Sequence, residues 1–181
     1  MRKMEAIMRY YAQVADKSEL ILTPELTEML IKEAYSMHIN NPEWVLSQYG
    51  IKDRSQLDHL HLGKPIPMYE IVNETLTFIG KWFVLVMSNG EPLFRMWVKL
   101  DKNGQYREAG GGSAGMAEHI HNYEYKNLII GILGTTSFNG MDYLMIRREN
   151  QDIFVQVYDR ATREYFKYEY TLSEIMNMIK K

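Results

Sequence analysis

The chain contains no cysteine. That removes disulfides, thiolate nucleophiles and cysteine-ligated zinc from the available chemistry, and it leaves the compartment undecided because a cysteine-free chain suits any redox environment. No continuous apolar segment approaches the roughly 18 residues that a spanning helix needs, so no membrane span is expected. An excess of one charge is also missing. Twenty-one basic residues face 23 acidic ones, a formal charge of -2. No global field then draws the chain to nucleic acid or anionic lipid, and no nucleic-acid partner is expected. The first ten residues begin with Arg2 and Lys3, but Glu5 and Arg9 interrupt them before the apolar run of a signal peptide can form. A leader upstream of Met1 would make the protein extracytoplasmic; without one, it is expected to be cytoplasmic.

What is present is a folding sequence. A hydrophobic share of 46% over 181 residues suffices for one good core or two small ones and excludes a disordered tail. Met4, Ile7, Met8, Tyr11, Val14 and Ala15 recur at helical spacing and predict a first helix. Thr23-Pro24 reads as N-cap and N1 of a second, with Leu26, Met29, Leu30, Ala34 and Met37 inward. Asn41-Pro42 opens a third, carrying Trp44, Val45 and Tyr49 and stopping at Gly50. Asp53 caps a short helix through Leu57 and Leu60.

Strand signals follow: Met68 to Val72, Thr75 to Ile79, and the clearest, Lys81 to Met87. Ser88-Asn89-Gly90-Glu91 is a hairpin turn, since Asn-Gly tolerates the positive φ of a type I′ turn. Leu93 to Leu100 returns, and Asp101 to Gly104 turns the chain into Gln105 to Ala109. A comparable order recurs: a helix from Ser113 through Ile120, then strands over Leu128 to Leu133, Asp142 to Arg147, Ile153 to Tyr158 and Tyr165 to Tyr170. A last helix begins at Ser173 with Ile175, Met176 and Ile179 inward. The expected fold is therefore α+β: N-terminal helices packed on two tandem helix-plus-antiparallel-sheet (αβββ) units, with a C-terminal helix. The boundaries fall at 1–52 for the helical segment, 53–112 for the first unit and 113–181 for the second.

The segment Val155-Gln156-Val157-Tyr158-Asp159-Arg160-Ala161-Thr162-Arg163-Glu164-Tyr165 resembles the last hairpin of PepSY-like modules, whose pattern is hydrophobic-x-hydrophobic-Asp-x-x-Thr-Gly-x-hydrophobic. Arg163 stands where the pattern has glycine. Val98 to Tyr106 is similar, with Gly104 at the turn but no threonine. The resemblance covers roughly Arg54 to Tyr170 as a tandem pair. It implies a non-catalytic, usually extracytoplasmic module of the kind found in peptidase propeptides and in secreted proteins that restrain or bind other proteins. The threonine-containing turn has a purely structural reading as well.

Three groups are candidate sites. Asp58-His59-Leu60-His61 and Glu118-His119-Ile120-His121 repeat acid-His-aliphatic-His at an offset of 60. On helices, His at i and i+2 diverge by about 200°, so the pairs that could share a metal are Asp58 with His61 and Glu118 with His121, the Glu-x-x-His spacing of di-iron bundles. Helices of two turns lack the further inward carboxylates such sites need, and a polar helix surface explains the same residues. Gly110, Gly112, Ser113 and Gly115 form Gly-x-Gly-x-x-Gly ahead of a helix, a pattern that can hold an anion. A polar preceding strand and the missing ribose-binding acid argue against a dinucleotide, and a linker with Ser113 as cap explains the glycines. Tyr165, Phe166, Tyr168 and Tyr170 lie on a strand that could receive a partner by β-addition. Arg147, Arg148, Arg160 and Arg163 interleave with Glu149, Asp152, Asp159 and Glu164 and read as a solvated hairpin face.

The expected role is a non-catalytic protein- or peptide-binding module with no cofactor. The alternative is a metal-dependent enzyme or metal-binding protein built on the acid-His-x-His segments.

Overall fold

The computed structural model describes residues 19–112, 114–124, 128–135 and 140–180. The helix expected over Met4 to Ala15 lies outside the described residues. The fold is α+β, as the element pattern predicts, with helices near both ends of the described chain. Contacts group it into two units whose segments interleave along the sequence: Leu20–Pro65 with Lys81–Tyr125, and Ile66–Gly80 with Lys126–Lys181.

In the first unit, α1 (Pro24–His38) starts where expected: Thr23 accepts from the Leu26 N–H at 3.2 Å, and Pro24 takes N1. Its buried stripe is Leu30, Ala34 and His38. Helix α2 (Glu43–Gln48) differs from expectation in its inward face: Leu46 is buried, whereas Trp44 is 67% exposed. Six residues cannot turn both to one side. Asp53 and Gln56 then close a capping box on a 3-10 helix (Arg54–His59). That helix ends one residue before Leu60, because Leu60 and Leu62 flank His61 at period two and enter strand β1 (Leu60–Leu62).

Strand β1 pairs antiparallel with the later half of β3 (Thr75–Ser88), which pairs with β4 (Glu91–Leu100), which pairs with β5 (Tyr106–Gly112). Asn89 (φ 50) and Gly90 (φ 81) form the hairpin with both residues at positive φ, as the Asn-Gly signal predicts. Asp101 accepts from the Asn103 and Gln105 N–H groups to turn β4 into β5. Phe94, Val84, Val86, Met96 and Val98 are fully buried, and His38 and Tyr49 lie edge-on against Phe94. Helix α1 contacts both outer strands, β1 and β5, so it crosses a sheet face and does not run along one edge. Helix α3 (Ala114–Glu124), expected to open a second repeat, packs on β4 of this unit, with Ala117 and Ile120 buried.

The second unit has a mixed sheet in the order β11-β8-β7-β6-β2-β3, with β3 represented by its residues 75–80. β2 (Ile66–Val72) runs parallel to β6 (Leu128–Gly134). β6, β7 (Asp142–Arg148), β8 (Gln151–Gln156) and β11 (Glu169–Thr171) form antiparallel neighbours. Tyr69, Leu133, Tyr143, Met145, Phe154 and Ile175 centre its core. Gly131 makes room there: a Cβ at that position would sit 2.8 Å from Tyr69 Cε2. The last helix, α4 (Leu172–Ile179), begins one residue ahead of the expected Ser173, behind a Thr171/Glu174 capping box. A small two-stranded ribbon, β9 (Tyr158–Asp159) with β10 (Glu164–Tyr165), carries the Asp159 to Thr162 turn.

Candidate functional site

The expected strand Tyr165 to Tyr170 is two short strands separated by a bend. Tyr165 belongs to β10, Phe166 takes φ 53, and its N–H donates to Val157 O. Tyr168 lies between the strands, 41% exposed, with Lys167 Nζ 5.4 Å from its ring centroid. Tyr170 starts again in β11, its ring packed against Tyr143 at 5.8 Å. Positive φ at Phe166 breaks the alternation that a strand needs, so the four aromatics do not form one edge. Burial and the neighbouring Tyr143 also push the Tyr170 phenol above its ordinary pKa.

Asp58 and His59 lie on the 3-10 helix, whereas His61 is exposed on β1 opposite Met87. Glu118, His119 and His121 lie on α3, the first two exposed and His121 half-buried. The helical spacing expected of Asp58 and His61 therefore does not apply, because a strand begins between them. Among the described residues, no group of three or more His, Asp or Glu gathers that could hold a metal ion. Below His121 on the same helix, burial raises the pKa of Glu124, partly offset by His121 and Lys64.

Gly110 and Gly112 are strand residues of β5; Ser113 lies outside the described residues, and Gly115 is exposed in α3. The glycines have a packing reason. β5 carries an extra residue where the register shifts between Met96 and Val98, and there Gly110 adopts φ +123 with its N–H donated to the Glu108 carboxylate. A Cβ at Gly110 would stand 3.3 Å from Trp97 Cε3, so the indole of β4 leans over β5 toward the sheet margin.

Around Trp97 the same sheet face is cationic. Lys81 Nζ lies 4.8 Å and Arg95 Cζ 4.9 Å from the indole centroid. The register sets Lys81 opposite Lys99 and Lys99 opposite Arg107, a row of three positive charges across three strands. Arg107 Nε donates to Asp101 at 2.8 Å, and its side chain is 66% exposed. The Gln105 N–H, followed by Asn103 and Arg107, holds the Asp101 carboxyl below its ordinary pKa. Sequence reasoning did not find this row. Its signal was present in the hairpin, since the Asn89-Gly90 turn places Lys81 and Lys99 opposite each other once the bulge at Val86 and Met87 is counted.

Two arginines of the second unit are engaged with acids. Arg147 makes two hydrogen bonds to buried Asp152, at 2.8 and 3.2 Å, and Arg148 makes two to Glu169.

Of the strands β1, β5 and β11, each with a neighbour on one side, β5 is the longest, with seven residues against three each for the other two. Among the described residues, no strand pairs with its outer side. Comparison with protein-family models, curated proteins and solved structures returned no match.

Proposed function

We propose that the protein binds a protein or peptide partner without catalysis, taking an extended segment of that partner as an added strand beside β5. The observation that carries this reading is the outer side of β5, a seven-residue strand whose alternate residues turn backbone N–H and C=O groups away from β4 with no strand partner among the described residues. The register shift and Gly110 at its centre suit the same role. They bend the strand and limit uncontrolled pairing with further copies, while Tyr106 to Glu108 remain regular and paired with Val98 to Leu100. The resemblance to PepSY-like modules implies a role of the same class.

Selection of binding peptides from a random displayed library, followed by scanning N-methylation of a selected peptide, tests the reading. Successive amides of an added strand alternate between facing β5 and facing away. Methylating the facing set should weaken binding by tenfold or more, and methylating the other set should change it little. Equal sensitivity of both sets would reject strand addition.

A further inference from the structure

The cation row carries the reading one step further, to the chemistry of the partner, and the inference rests on strand addition at β5. We infer that the segment β5 receives is acidic, with a carboxylate side chain in line with Lys81, Lys99 and Arg107. Like charges set directly opposite one another across strands repel. Here three stand in line, and among the described residues Asp101 is the one carboxylate hydrogen-bonded to a member of the row, Arg107. Adjacent strands lie about 4.8 Å apart, so an added strand continues the row directly beside Arg107 and about 9.6 Å from the Lys99 backbone. A glutamate there reaches the Arg107 guanidinium, and the extended Lys99 side chain lies within reach of the same carboxylate. Lys81, a strand further away, contributes through its field.

A second feature points to a peptide as the acidic partner, against single-stranded nucleic acid. Nucleic-acid strands use open aromatic faces for base stacking. The Trp97 ring already has Lys81 and Arg95 over it and Gly110 against it.

The test uses two acetylated and amidated peptides, one alternating threonine with glutamate and one alternating threonine with lysine, together with an oligothymidylate, titrated against the full chain. The glutamate peptide should bind best, weaken with added salt, and lose about three- to thirtyfold in affinity on Arg107→Glu or Lys99→Glu. Both positions are exposed to the extent that the variants should fold, which circular dichroism checks. Equal or better binding of the lysine peptide overturns the acidic preference while leaving strand addition in place. Tighter binding of the oligothymidylate overturns the peptide assignment, and binding of none of the three overturns the inference. Glutamate-peptide binding that depends on Arg107 and Lys99 but tolerates N-methylation of every alternate amide keeps the cation row and rejects strand addition.

Discussion

Replacing Gly110 with alanine tests the backbone geometry on which the β5 margin depends. Gly110 sits at φ +123, a conformation essentially confined to glycine, and holding alanine there costs about 1–3 kcal/mol. The new Cβ would also stand 3.3 Å from Trp97 Cε3, so the indole must yield by a few tenths of an ångström. Against this, alanine restricts the unfolded chain and returns roughly 0.4–1 kcal/mol. The net loss is about 1–2 kcal/mol, or a fall of roughly 2–8 °C in midpoint for a chain of this size. Gly104→Ala is the control: it too has positive φ (+74), but nothing lies within 4 Å of its Cβ, so it should lose less than Gly110→Ala. Trp44, Trp82 and Trp97 all belong to the first unit, so tryptophan fluorescence during thermal unfolding reads the unit that contains both mutations. A Gly110→Ala midpoint equal to or above that of the parent would refute the left-handed bulge, because alanine at a compatible φ stabilises.

In the second unit, Gly131→Ala should destabilise by roughly 1–3 kcal/mol, since its Cβ would meet Tyr69 at 2.8 Å and Met145 Sδ at 3.1 Å. Unfolding followed by far-ultraviolet circular dichroism checks it, and unchanged stability would show that the Tyr69 ring is not packed on the glycine. Burial holds the pKa of His38 below its ordinary value. Asn41 Nδ2, 3.3 Å from its Nδ1, also requires an accepting, neutral ring nitrogen. The fold therefore favours neutral His38: its contribution is full above the unfolded pKa near 6.5 and is lost as pH falls from there toward the folded pKa. Fluorescence-monitored stability should drop between pH 7 and pH 5 and the drop should shrink in His38→Gln; an identical pH slope in the variant would contradict it. Arg163 occupies φ 60, where glycine is unstrained, so Arg163→Gly should be neutral or stabilising by up to about 1 kcal/mol in a thermal melt. A clear loss would place the side chain in a contact that outweighs the backbone strain.

Local signals in the sequence were specific where chemistry acts over a few residues. Thr23-Pro24, Asn89-Gly90, Asp53, and Asp159 with Thr162 each marked a cap or turn that the structure contains. Signals failed where the outcome depended on distant partners. Leu60-His61-Leu62 continues a helical pattern from Asp53, but pairing with β3 draws it into a strand. The Gly110 to Gly112 run resembles a linker because nothing in its composition announces Trp97, thirteen residues earlier, as the group that needs a bare backbone. The parallel pairing of β2 with β6 joins residues more than 60 apart, so an account built from consecutive hairpins groups the segments along the chain, while contacts group them across it. The cation row was hidden for the same reason: Lys81, Lys99 and Arg107 are unremarkable until the register aligns them.

Strand addition at β5 is tested most directly by amide hydrogen exchange of the full chain with and without a selected peptide. The account predicts new protection at alternate amides within Tyr106–Gly112, the ones that face outward, with little change in β11. Protection centred on β11 or on a helix, with β5 exchanging as before, would contradict it.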